Sequence, residues 1–99
     1  MSEKTAYIVV DVRIENVEAY ERYKQKVVPI VAQFGGEYLV RGGEMDVIQD
    51  ELWSPTRMVL LKFPSRARAL EFIDSAEYAP VKQMRLDNST GSLVVLEGI

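Results

Sequence analysis

Residues 6–14 read AYIVVDVRI, and residues 57–63 read RMVLLKF. Side chains alternate along an extended chain, so in the first stretch Ile8, Val10, Val12 and Ile14 share one side, and Tyr7, Val9, Asp11 and Arg13 share the other. The first set is wholly apolar and the second is mixed. In the second stretch both alternate sets are largely apolar. Residues 92–97, SLVVLE, repeat the point with Leu93, Val94, Val95 and Leu96. An antiparallel sheet with one wet face alternates more cleanly than this. These strands predict a sheet covered on both faces.

Between the outer strands lie two helical regions. Asn16 is a good N-cap and Glu18 follows in the first turn, where a negative charge suits the helix dipole. Val17, Tyr20, Val27, Val31 and Phe34 then recur at helical spacing, with Tyr23 and Ile30 at the edge of the stripe. Gly35 and Gly36 close the helix, since glycine takes the left-handed cap geometry without strain. Pro29 lies inside this span and predicts a bend or a split. EYLVR at Glu37–Arg41 reads as a second strand, with a bulge or sharp bend at Gly42-Gly43 and an irregular arm over 46–52. Trp53-Ser54-Pro55-Thr56 reads as a turn before the third strand. Ser65 caps the next helix, with Ala69, Leu70 and Ile73 inward and Phe72 on the flank. Arg68 at its third position leaves no capping box. Residues 75–78 break that helix, and Pro80 suits the first turn of a short third one, through about Leu86, with Val81 and Met84 three apart. A loop over 87–91 precedes the last strand. The order β-α-β-β-α-β is the split βαβ, ferredoxin-like arrangement of the α+β class, with a four-stranded antiparallel sheet.

Ninety-nine residues make one domain. Two helices cover one face of a four-stranded sheet, and within this length nothing else is assigned to cover the other. At ~25 cal/mol per Å², burying several hundred Å² is worth several kcal/mol before association costs. The sequence therefore predicts a homodimer whose sheets pack face to face, consistent with the frequency of closed two-fold assemblies. The alternative is a ligand groove covered by the arm at 42–53.

Composition removes whole classes of chemistry. There is no cysteine, hence no disulfide framework and no thiolate, and no histidine, the usual general base near neutral pH and the commonest metal ligand. The net charge of −3 and a pI near 4.9 argue against a nucleic-acid partner, which a basic face would advertise. RRM domains share this element order, but RMVLLKF lacks their interleaved stacking aromatics. No apolar run approaches the ~20 residues that a bilayer span needs. The polar start at residues 1–5 lacks a signal-peptide core, so a cytoplasmic location is expected. The acids Glu44, Asp46, Asp50 and Glu51 do not have EF-hand spacing, and no phosphate-binding glycine motif occurs. No metal or other cofactor is expected.

YIVVDVRI, AYERYKQKVVP, FGGEYLVRGG, VLLKFPSRARAL, SAEYAPVKQMR and LVVLEG together resemble the domain-of-unknown-function 1330 family of the dimeric α+β barrel superfamily, over residues 7–98. The ordered combination of RGG, FPS and S-x-EY carries most of that resemblance. It implies the ferredoxin-like fold and a barrel-forming dimer, and it supplies no reaction. Arg68 stands where the family pattern leads one to expect an acidic or amide residue. Among activities of the superfamily, those resting on an axial or catalytic histidine are closed to this chain. The resemblance leaves cofactor-independent monooxygenases and enzymes like muconolactone isomerase, which need a pocket for an aromatic or enolic substrate and groups that steer protons.

Candidate residues follow from side-chain chemistry. Arg41 precedes Gly42, and an arginine fork beside a glycine that permits close approach suits a carboxylate. Arg85 is a second candidate for an anionic group; each arginine is also readable as a salt-bridged structural residue. Asp11 is the best carboxylate for acid–base work if its face is removed from water; as a pair with Arg13 it is structural. Tyr20 is the other proton-handling candidate, and Trp53 is either a dimer anchor or the apolar wall of a pocket. One reading is a cofactor-independent enzyme acting on a small anionic or aromatic metabolite between the first helix and the sheet. The other is a non-catalytic small-molecule-binding or assembly module.

Overall fold

The computed structural model describes residues 3–99. Its elements run β1 (Ala6–Ile14), α1 (Val17–Gln33), β2 (Glu37–Arg41), β3 (Met58–Phe63), α2 (Arg66–Asp74), α3 (Ala79–Asn88) and β4 (Ser89–Glu97). The four strands form one antiparallel sheet in the order β2-β3-β1-β4. This is the ferredoxin-like arrangement: β3 lies between β1 and β2, the strands that α1 connects. Among the described residues no helix is long and apolar enough to cross a membrane.

Local chemistry sets the element ends. The Asn16 side chain accepts from the Ala19 N–H at 3.1 Å, and Ser65 Oγ accepts from the Arg68 N–H at 3.1 Å, so each helix start has one of its free donors satisfied. At the end of α1, Gly35 adopts φ +80° and the Gly36 N–H donates to the Val31 carbonyl at 2.9 Å. Pro29 does not split α1. Pro29 and Gln25 both face solvent, so water serves the one carbonyl that proline leaves free, while Val27 and Val31 keep the buried stripe continuous.

The helix-side core joins Ile8, Val10 and Val12 of β1 to Val27 and Val31 of α1, and to a column of aromatic rings. Phe72 stacks on Tyr78 at 4.4 Å and on Phe63 at 5.4 Å, and meets Phe34 edge-on at 6.0 Å. Phe72 is thus a central core residue rather than a flank, and Leu70, expected inward, is 43% exposed. Ala69 and Phe72, three apart, define the buried line of α2. Val17, expected on the buried stripe of α1, is 66% exposed, and the buried stripe begins at Ala19 and Tyr20. The loop expected over 87–91 is absent. The Asn88 carbonyl accepts from the N–H groups of Glu15 and Asn16 at 2.9 and 3.2 Å, and β4 begins at once, pairing Ser89 with Ile14. Gly91 sits inside that pairing, where a Cβ would run into the Asp11 backbone.

Pairing β2 with β3 requires an extra residue. Tyr38 opposes Leu61 and Val40 opposes Leu60, so Leu39 is a bulge. The expected sharp bend falls at Gly42, which at φ +70° ends the strand, and the bulge at Leu39 is a second irregularity three residues earlier. The bulge has a large consequence. In an even strand Tyr38 and Arg41 point to opposite faces, whereas one extra residue brings both to the helix side.

Opposite the helices, Val9, Met58 and Leu60 are partly covered, and Val94 and Leu96 are 49% and 51% exposed. The arm over 42–57 crosses one end of this face and places Trp53 there.

Candidate functional site

A cavity of about 40 Å³ lies between α1 and the sheet. Its floor is Ile8 and Val10 of β1 with Val59 and Leu61 of β3. These side chains point there because alternation along paired strands leaves them no other direction. Its roof is Tyr20, Tyr23 and Val27, one turn apart on α1, and Tyr78 and Phe72 close one end. Arg41, Arg57 and Arg85 complete the lining at the exposed side, with Lys24 beside them.

None of the three arginines is ion-paired. Among the described residues the ion pairs are Lys24 with Glu21 and Arg68 with Glu71. The arginines meet tyrosines instead. Arg41 lies 4.9 Å from the Tyr38 ring centre and Arg57 lies 5.8 Å from that of Tyr20. The Arg85 Nε–H donates to Tyr78 Oη at 3.3 Å. Rings hold guanidiniums in place without neutralising them, so the positive charge remains for a ligand. Gly42 contributes through Arg57: a Cβ at Gly42 would stand 2.6 Å from Arg57 Nε. The missing side chain at Gly42 gives this guanidinium its room.

The tyrosines are hydrogen-bond donors rather than bases at neutral pH. Burial pushes the Tyr38 hydroxyl up to about 12, against the pull of Arg41. Burial also raises Tyr20, opposed by Arg57 and Arg85, and raises Tyr23 further, where Tyr78 adds to the effect. The hydroxyls of Tyr23 and Tyr78 lie 2.9 Å apart.

Of the residues singled out from the sequence, Tyr20, Arg41 and Arg85 come together in this cavity. Asp11 and Trp53 do not join them: their side chains lie on the helix-free side of the sheet. The Asp11 carboxylate accepts from Trp53 Nε1 at 2.8 Å, from the Thr56 N–H at 2.8 Å and from the Arg57 N–H at 3.1 Å. Within the chain these three donors, not Arg13, hold the carboxylate, and Arg13 is exposed. Desolvation pulls the Asp11 pKa up, but the donors from Thr56, Trp53 and Arg57 outweigh it and hold the carboxyl below its ordinary 3.8. Asp11 is a latch that ends the arm and fixes the backbone of Arg57, whose side chain then reaches the opposite face.

The sign of the pH effect follows. A lowered folded-state pKa contributes stability above the unfolded value of 3.8, and that contribution is lost as pH falls through the folded value. Asp11→Asn is expected to cost about 2 kcal/mol in urea unfolding at pH 7. The gap between variant and parent should shrink in acid, once the pH has fallen through the lowered folded-state value of Asp11. A gap that is the same at pH 7 and in acid would refute the latch.

Sequence reasoning did not single out Arg57, Tyr38 and Tyr78 as site residues, and placed Tyr23 only at a stripe edge. Arg57 was legible as a strand-end cation; Tyr78 sat in a helix break and carried no periodic signal.

A family model described as "Domain of unknown function (DUF1330)" matches residues 5–99. No curated protein matches the chain. A protein of unknown function from Rhodopseudomonas palustris is similar in structure, with a TM-score of 0.76 and 20% identity, over 98% of this chain and 84% of that one. A cofactor-independent oxygenase from Streptomyces nogalater, SnoaB, is similar at a TM-score of 0.59 and 8% identity, over 97% of this chain and 94% of that one. A conserved protein of unknown function from Bacteroides thetaiotaomicron, described as a possible oxidoreductase, has a TM-score of 0.58 and 13% identity, over 98% and 100% of the two chains.

Proposed function

The chain belongs to the DUF1330 family, and from that premise we propose that it binds a small organic anion in the cavity under α1 and acts on it without a cofactor, as a homodimer. One observation carries the reading: Arg41, Arg57 and Arg85 converge on a tyrosine-lined cavity with no carboxylate to neutralise them. Three guanidiniums at the exposed side of a partly apolar cavity, with no carboxylate among them, set up a positive potential that suits an anion. The volume of about 40 Å³ favours a compact acid over an aromatic one. The protonated tyrosines supply donors that polarise a bound group, and the resemblance in fold to a cofactor-independent oxygenase supports chemistry of that economy.

The second reading, a binding module without turnover, is favoured by the position of Asp11. With that carboxylate on the far face, the cavity lining holds no base active near neutral pH. Titration calorimetry with three- and four-carbon carboxylates tests the shared core of both readings. Arg41→Ala, Arg57→Ala and Arg85→Ala are each expected to weaken binding by about tenfold, with the unfolding temperature nearly unchanged. Affinity that is indifferent to all three removes the anion site. Product formation from the bound acid, followed by NMR, separates enzyme from binder.

The homodimer rests on the helix-free face, where Val94, Leu96 and Trp53 leave apolar surface in one continuous strip.

A further inference from the structure

We infer that the buried Tyr23–Tyr78 hydroxyl pair, backed by Arg85, presents one hydrogen-bond donor to the oxo group of a small 2-oxo acid whose carboxylate lies against Arg41 and Arg57. The inference rests on the anion-pocket reading above and adds the class of acid.

Tyr23 and Tyr78 are 7% and 2% exposed, and both line the cavity. Their hydroxyls share one hydrogen bond at 2.9 Å, which uses one of the two O–H hydrogens. Arg85 can only donate, so its 3.3 Å contact fills a lone pair of Tyr78 and takes no hydrogen. Whichever tyrosine donates to the other, one O–H hydrogen remains, and no acceptor meets it among the described residues. A buried donor without an acceptor is unfavourable, and both tyrosines line the cavity.

The rest of the lining narrows what brings that acceptor. Three guanidiniums supply further donors, and the lining contains no acidic side chain. The matching ligand carries acceptors only in its polar part: a carboxylate for the arginines and a neighbouring oxygen for the tyrosine pair. A saturated acid leaves the tyrosine hydrogen unmet. A 2-hydroxy acid brings a further hydrogen into a site already rich in donors. A 2-oxo acid supplies two sets of lone pairs and nothing to satisfy in return. Size agrees, because about 40 Å³ is a few water-sized volumes and suits a three-carbon chain better than a ring.

The test compares pyruvate, lactate and propionate by titration calorimetry on the intact protein. These acids share their length and charge and differ only at the second carbon. Pyruvate is expected to bind at least tenfold more tightly than propionate, with lactate weaker than pyruvate. In the Tyr23→Phe/Tyr78→Phe double variant the ratio of pyruvate to propionate should fall within twofold, whatever the loss in affinity common to both acids from freeing Arg85. An unchanged circular dichroism spectrum and measurable propionate binding report that the fold and its arginines survive. As a readout independent of any variant, the C2 resonance of 13C2-pyruvate should move downfield on binding to the parent protein, the signature of a donor on its oxo oxygen. Equal affinity for the three acids, an unmoved C2 resonance, or a preference that persists in the double variant each overturns this inference while leaving the anion site standing. Failure of all three acids to bind overturns both.

Discussion

Phe72→Ala is expected to lower the unfolding free energy by about 4 kcal/mol and the unfolding temperature by roughly 20 °C. Phe72 is 4% exposed and is the hub of the aromatic column, with Phe63, Tyr78 and Phe34 all within 6.0 Å between ring centres. Truncation removes the apolar burial, leaves a void that packed strands cannot collapse, and breaks three ring contacts worth about 0.5–1.5 kcal/mol each beyond area. Tyr78 also loses the ring that holds it against the cavity, so anion affinity should fall with stability even though Phe72 carries no polar atom. Leu70→Ala, two residues away but 43% exposed, should cost under about 1 kcal/mol. Differential scanning calorimetry at one fixed protein concentration compares the two, because the proposed dimer would make the midpoint concentration-dependent. Near-equal losses would show that α2 is not anchored through Phe72.

The second large effect concerns assembly. The parent protein should sediment at twice its chain mass of 11.3 kDa at micromolar concentration, and Val94→Asp/Leu96→Asp should sediment at the chain mass. Val94 pairs across β4 and β1 with Val9, and Leu96 with Tyr7, on the face away from the helices. Their outward direction makes them the right probes, since the helix-side core at Leu93 and Val95 is untouched. In a two-fold assembly each substitution enters the interface twice, so four carboxylates must be desolvated without partners. We expect dissociation to be favoured at least a thousandfold, about 4 kcal/mol, with the circular dichroism spectrum unchanged. A parent protein that stays monomeric at these concentrations would remove the sheet-to-sheet dimer. It would leave the cavity under α1 in place, since that cavity lies on the opposite side of the sheet from the proposed interface.

Trp53 connects these two levels. Its indole N–H is engaged by Asp11 at 2.8 Å, and its ring stands over the apolar strip with 55% of its surface exposed. Asp11 thereby ties one end of the arm to β1 and presents an aromatic ring at the proposed interface. The same carboxylate holds the Arg57 backbone at 3.1 Å. The proposed interface on one face and the arginine on the other thus share one anchor.

The element order, the two helix caps, the inward faces of β1 and β3 and the doubly apolar character of the sheet were legible in the chain itself. Each is a local property. Alternation has a period of two, helices have a period of 3.6, and caps act over three residues, so neighbours in sequence carry the whole signal. The site was legible only in part. Tyr20, Arg41 and Arg85 have the chemistry of an anion pocket, but Asp11 has it equally and lies on the wrong side. Tertiary structure made that division. The bulge at Leu39 carries Arg41 to the face of Tyr38, the sheet separates Asp11 from both, and the packing of α3 brings Tyr78 to Tyr23 across 55 residues of sequence. A one-residue shift reverses the face of every side chain beyond it. Which residues meet is therefore fixed by pairing between distant strands, a quantity that no short window of sequence contains.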